Sequence, residues 1–214
     1  MSEKQPHYNI SKSASKLSLD FIEAIYAVLF ARFSAIYPVS EALRNSIIRH
    51  SQVKVFKRKQ HMLEIGKVNR DIHFIFSGTL WGYYLDEKGI KGISWFLKEN
   101  DMAISVVSFH EQVPSYEGIY VYSDAICISM SYEMMEWHFA NFLEFNIIGR
   151  QLKIHYHVRD NKRLFSFLTE NAKQRYSRLL EEFPDIFGRV PAKIVASYLN
   201  ITPETLSRIR AGKY

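Results

Sequence analysis

Near the end of this 214-residue chain, Glu204, Thr205, Ser207, Arg208 and Arg210 stand close together, and these are side chains that can read a DNA duplex. An arginine can grip guanine at two acceptors, a glutamate can accept from the cytosine amino group, and Thr or Ser can touch bases or phosphates. Thr202 just before them and Lys193 upstream complete the candidate set, the lysine as a phosphate contact that carries no sequence information. The plainer use of the same residues is a polar solvent face, which every surface helix has. The frame that holds them separates the two readings.

Other residues with chemical potential point away from catalysis. His155 and His157 flank Tyr156, but positions two apart on a helix do not face the same way, so the pair does not chelate one metal ion. His61, His73 and His110 lie in a strand-rich region without the close pairing that a metal-dependent jelly-roll enzyme needs. Cys127, the single cysteine, sits between Ile126 and Ile128 with no adjacent cation to lower its pKa, the setting of a structural strand residue. It also excludes an internal disulfide and a four-cysteine cluster. No Walker, nucleophile-elbow or dinucleotide motif is present. The sequence predicts no enzyme, no metal site and no cofactor.

The frame around the candidate readers is two short helices meeting across a tight turn. Val195, Ala196, Leu199, Ile201, Leu206 and Ile209 are the apolar or small positions at the required spacing. Ala196 faces the crossing, where a methyl permits close approach. Asn200 tolerates the left-handed conformation that ends a helix. Thr202 is a good N-cap, Pro203 suits the first helical position, and Glu204 complements the positive helix end. The segment reads as a helix-turn-helix with the polar set on its second helix.

This arrangement resembles the C-terminal DNA-binding unit of the Crp/Fnr family of bacterial transcription regulators, whose recognition helix carries R-E-T-V-x-R. Here the segment stands as Pro203-Glu204-Thr205-Leu206-Ser207-Arg208. The Glu, the Thr and the final Arg match, while proline replaces the leading arginine. The resemblance implies base reading by Glu204 and Arg208 and no contact from position 203. It extends over about residues 38–212 and is most marked with the branch of short C-termini common in Bacteroidetes. It further implies a homodimer on double-stranded DNA with a palindromic operator, RNA polymerase as another partner, and an effector that the sequence does not identify.

Composition supports a globular, nucleic-acid-binding protein. The chain is 47% hydrophobic and 14% aromatic, ample for a core. Residues 150–214 hold 13 Lys and Arg against 6 Asp and Glu, whereas residues 1–149 hold 15 against 16, so the net charge of +6 is entirely C-terminal. A basic module beside a neutral one is the electrostatic footprint of phosphate binding. The positive residues are spread over several short helices, which does not suit a membrane-surface helix. No 18-residue apolar run and no signal core occur, so a cytoplasmic protein without membrane association is expected.

The expected fold class is α+β. Residues 1–16 are read as a mobile tail, and residues 17–140 as N-terminal helices followed by a cyclic-nucleotide-binding-like β-roll, a double-stranded jelly roll. Residues 141–168 are read as a dimerisation helix and residues 169–214 as the helix-turn-helix domain. Helices are expected from Leu17 to Ile36, after Ser40, from Tyr132 to Phe139 and from Asn171 to Phe183. Strands are expected at VKVF, HFIFSG, TLWGYYLD, GISWFL and YVYSDAICISM, with a hairpin turn at Asp86-Glu87-Lys88-Gly89. In the long helix Ile147, Gln151, Ile154, Val158, Asn161, Phe165 and Leu168 step by four and three. That is a heptad seam, with polar members that can fix register.

The β-roll raises the question of its ligand. In the family a G-E-L segment and an R-S/T-A segment anchor a buried cyclic phosphate, and Asn100-Asp101 stands where the family has a Gly-Asp turn. Counting from there places Ile104-Ser105-Val106 and Ser115-Tyr116-Glu117 at the two anchors, without Gly, Glu or Arg. A buried phosphate without a cation is very costly, so cyclic AMP is not expected to bind in the family's usual way. A less charged ligand near Ser105, Ser115 and Tyr116, or none, remains open. The function expected is a sequence-specific DNA-binding transcription regulator. One alternative is a jelly-roll metal-binding protein or enzyme whose C-terminal helices only pack. Another is a sensor with vestigial DNA binding, since little chain follows Arg210 to form the wing common in the family.

Overall fold

The computed structural model describes residues 8–213. The chain divides into two compact units, Met1–Tyr83 with Phe96–Gln151, and Tyr84–Trp95 with Leu152–Tyr214. The expected boundaries at 140 and 168 differ from this division. The long helix belongs to both units, and a β-hairpin tip belongs with the C-terminal helices.

The first unit opens with a 3-10 turn at Lys12–Ala14, followed by α1 (Leu19–Ser34) and α2 (Glu41–His50). Ser18 and Ser40 cap the two α-helices by accepting from the amides of Phe21 and Leu43. Ile22, Ile25, Tyr26, Leu29, Phe30 and Phe33 form the buried stripe of α1. Of the mobile tail expected over residues 1–16, residues 1–7 lie outside the described residues, and the rest makes contacts with the body of this unit. Ile10 bridges Val53, and Ala14 is buried.

Eight strands follow: β1 (Ser51–Phe56), β2 (His61–Leu63), β3 (Asp71–Ser77), β4 (Leu80–Leu85), β5 (Lys91–Leu97), β6 (Met102–Ala103), β7 (Glu117–Val121) and β8 (Ala125–Ser131). They form two four-stranded sheets, ordered β1-β8-β3-β6 and β2-β7-β4-β5. The register places Val53 opposite Ile128 and Ile72 opposite Met130. Ile75, Leu80, Phe109, Ile119, Val121 and Cys127 are fully buried. This is the expected α+β class with a two-sheet roll.

Three local expectations are revised. The run YVYSDAICISM is two strands, because Tyr122 and Ser123 donate their amides to the carbonyl of Thr79 and Asp124 accepts from the amide of Arg58. Strands β2 and β6 are too short to show a period in sequence. A further helix, α3 (Val106–Glu111), lies between β6 and β7. The turns read as expected: Gly89 has φ +72, and the Asp86 carboxylate accepts from the amides of Lys88 and Ile90.

After β8 come α4 (Tyr132–Asn141), capped by Ser131, and α5 (Leu143–Thr169). The second unit continues with α6 (Ala172–Glu182), α7 (Ile186–Arg189), α8 (Ala192–Tyr198) and α9 (Pro203–Arg210). Asn171 and Gln174 form a reciprocal capping box at the start of α6. Leu179, Phe183, Ile186, Val190, Val195, Leu199, Leu206 and Ile209 are among the buried apolar positions of these helices and their connections.

Candidate nucleic-acid interface

The turn between α8 and α9 is built by its own sequence. Asn200 sits at φ +52, its amide donates to Ser197 O at 3.0 Å, and the amide of Ile201 donates to Ala196 O at 3.0 Å. These are the two bonds of a Schellman closure, satisfying carbonyls that the end of α8 would leave orphaned. Ala196 is 1% exposed. Thr202 Oγ1 then accepts from the amide of Thr205 at 3.2 Å, and Pro203 occupies the first helical position.

Helix α9 buries Leu206 and Ile209, so its opposite face is fixed by the helical period. That face presents Glu204, Ser207 and Arg208 to solvent, with Ala211 continuing it past the last turn. Thr205 and Arg210 flank it. Arg210 is exposed, but its guanidinium lies over the Phe187 ring at 4.3 Å and is turned toward α7. The Thr202 and Thr205 hydroxyls are 3.2 Å apart, and the Thr202 hydroxyl serves the cap. Lys193, in the first turn of α8, is exposed. The Glu204 carboxyl is held below the usual carboxylate range by its own backbone amide and the Thr202 hydroxyl, with Arg208 adding to the effect. The face therefore offers an ionised acceptor and a cationic fork one turn apart.

The end of α8 is gripped by two arginines that sequence reasoning missed. Arg175 on α6 donates to Leu199 O from Nε at 3.3 Å and Nη2 at 3.2 Å, and from Nη1 to Glu170 O at 2.7 Å. Arg163 on α5 donates to Tyr198 O at 3.0 Å. Cations at a helix C-terminus complement its partial negative charge. No sequence signal could have found them, since their acceptors are backbone carbonyls far along the chain.

The seam of α5 is apolar and uncovered in the single chain. Ile154 is 49% exposed, Val158 44%, Phe165 59% and Leu168 71%. Gln151 is exposed, while Ile147 and Asn161 are half-buried. A groove of about 480 Å³ runs beside the seam, lined in part by His157, Val158, Asn161 and Phe165.

The three candidate ligand residues of the roll do not converge. Ser105 and Ser115 are buried with hydroxyls 2.9 Å apart, whereas Tyr116 is 65% exposed. Ser115 Oγ donates to Glu117 O at 2.7 Å and accepts from the amide of Glu117 at 3.2 Å, so Ser105 is the donor to it and its capacity is filled. The amide of Ser105 donates to Asn69 Oδ1 at 2.7 Å, and the amide of Asn69 to Ser108 Oγ at 2.9 Å. Asn69 thus ties the start of α3 to the loop before β3, a role its sequence neighbourhood does not announce.

Of the remaining residues singled out in sequence, Cys127 and His73 are buried, whereas His61, His155 and His157 are exposed. Cys127 is fully buried in β8, and burial pushes its thiol up to about 12. His73 is buried with Nδ1 2.7 Å from Ser129 Oγ. His61 Nδ1 lies 2.9 Å from the Tyr83 hydroxyl. Among the described residues, no helix is long and apolar enough to cross a membrane.

No protein-family model and no curated relative matches the sequence. Solved structures match in fold. FixK2 from Bradyrhizobium japonicum aligns with a TM-score of 0.65 at 13% identity, over 76% of this chain and 83% of its own. The c-di-GMP responsive global regulator CLP of Xanthomonas campestris gives 0.60 at 12% identity, over 78% and 88%. A protein from Eubacterium rectale described as a transcriptional regulator of the crp/fnr family gives 0.60 at 16% identity, over 81% and 83%. The chain has the Crp/Fnr-type fold, as the resemblance of its sequence implied.

Proposed function

We propose that the chain is a homodimeric, sequence-specific DNA-binding transcription regulator without catalytic activity, acting in the cytoplasm. The observation that carries this reading is the α9 face. Glu204, Ser207 and Arg208 are exposed together, backed by Leu206 and Ile209 and set at the end of a closed turn. Such a helix can lie in a major groove, with Arg208 on guanine, Glu204 on cytosine, and Lys193 on phosphate. The fold shared with FixK2 and CLP supports the same use. In the division of labour, the roll is the input unit, α5 the dimer helix, and α6–α9 the DNA-binding unit. Pairing through the exposed seam of Ile154, Val158, Phe165 and Leu168 would cover it and set two α9 helices for a palindromic operator.

The roll does not bind cyclic AMP in the usual way of the family. The filled hydrogen-bonding capacity of Ser115 and the bond from the Ser105 amide to Asn69 support this. No cation stands at positions 104–106 or 115–117 to meet a phosphate. Selection of bound duplexes from random-sequence DNA, repeated at two salt concentrations, tests the function. A recovered two-fold symmetric motif whose affinity falls steeply with salt supports it. Recovery of no motif at either concentration refutes it.

A further inference from the structure

Arg163 bonds two segments that are distant in the chain. Its Nη2 donates to Tyr198 O, at the end of α8, at 3.0 Å, and to Ile93 O, in the hairpin Tyr84–Trp95, at 3.4 Å. The guanidinium carbon lies over two rings, 4.1 Å from the Tyr198 centroid and 4.8 Å from that of Phe167. Its Nε is buried without a hydrogen-bond partner, so the group has already given up solvent on that edge.

We propose that Arg163 is a positioning residue through which the hairpin Tyr84–Trp95 sets the placement of the helix-turn-helix. This deepens the DNA-binding reading and rests on it. One terminal nitrogen carries two hydrogens, and here each meets a carbonyl of a different element. The guanidinium is planar, and its contacts with the two rings restrict its movement. A shift of Ile93 O therefore turns the fork and weakens the bond to Tyr198 O, or drags Tyr198 with it. Letting go of either carbonyl leaves a partly desolvated cation short of an acceptor. Tyr198 is followed directly by the Leu199-Asn200 turn that aims α9, so a displacement there is passed to the reading face.

The hairpin is suited to be the moving part. Tyr84, Leu85 and Ile90 are exposed near its tip; its turn is closed by backbone bonds from the amide of Asp86 to Ile90 O and from that of Gly89 to Asp86 O, and the Asp86 carboxylate adds bonds from the amides of Lys88 and Ile90. Asp86→Ala removes that support at the far end of the hairpin without touching Arg163.

A double-mutant cycle tests the link, read by hydrogen exchange without DNA and by affinity for selected DNA. Asp86→Ala alone is expected to speed amide exchange at residues 91–95 and at residues 198–201 together, and to weaken DNA binding about five-fold. In an Arg163→Met background, Asp86→Ala should still loosen residues 91–95 but change neither residues 198–201 nor DNA affinity any further. Arg163→Lys, which keeps the charge but not the fork, gives the same cycle should the Met variant fail to fold. The proposal is overturned if Asp86→Ala leaves residues 198–201 unchanged, or if its effect there persists in full without Arg163. The exchange arm keeps the two claims apart. Coupled exchange without DNA binding retains the link and refutes the regulator, and DNA binding with uncoupled exchange does the reverse.

Discussion

The amide of Ile201 donates to the carbonyl of Ala196 at 3.0 Å, and this one bond places the start of α9 against the middle of α8. It requires Asn200 in the left-handed region, φ +52, and a side chain no larger than a methyl at position 196. Asn200→Val should therefore cost about 1–2 kcal/mol of stability in urea titrations, whereas Asn200→Gly should be tolerated. Ala196→Leu should cost about 1–3 kcal/mol by overpacking. Equal stability of the Val and Gly variants would show that the turn does not depend on that conformation.

The α5 seam predicts a dimer. Ile154→Glu places a charge on an apolar stripe that is half exposed in the single chain and that the proposed pairing would cover. Sedimentation equilibrium should show the wild type as a dimer and the variant shifted toward monomer. An unchanged dimer would move the interface elsewhere.

His73 makes stability depend on pH. Burial beside Ser129 pulls its pKa down from 6.5 to about 4, with Asp71 opposing the shift and Lys54 assisting it. The unfolded chain binds the proton first, so this contribution is complete above pH 6.5 and is lost as pH falls toward 4. The loss should approach about 3 kcal/mol on that interval. His73→Asn, which can keep a bond to Ser129, should flatten the slope between pH 7 and 4.5 in urea titrations. A variant with the wild-type slope would assign the pH dependence to other groups.

What was legible in the sequence is what is local. Thr202-Pro203-Glu204, Asn200 and the Ser40 cap of α2 act on amides within a few residues, so their types alone announce their roles. The apolar stripe of α5, exposed at Ile154, Val158, Phe165 and Leu168, was legible because a heptad is a local period. Residues whose partners lie far away were hidden. Asn69 meets Ser105 and Ser108, Arg175 meets Leu199, and Arg163 meets Ile93 and Tyr198, all through backbone or small polar groups that leave no pattern. The break at residues 122–124 was missed for the same reason, since Thr79 and Arg58 enforce it. At the candidate interface the sequence placed Arg210 with the readers. Only the geometry turns it toward Phe187.

The central claim is that the α9 face reads sequence, and titration of single-base variants of the selected operator with wild type, Arg208→Ala and Lys193→Ala tests it most directly. The account predicts that Arg208→Ala loses roughly 1–3 kcal/mol of discrimination at one base step in each half-site while leaving other positions unchanged. Lys193→Ala should weaken every duplex alike and reduce the salt slope. Uniform loss on all duplexes from both variants, with base preference intact, would contradict direct reading by this helix.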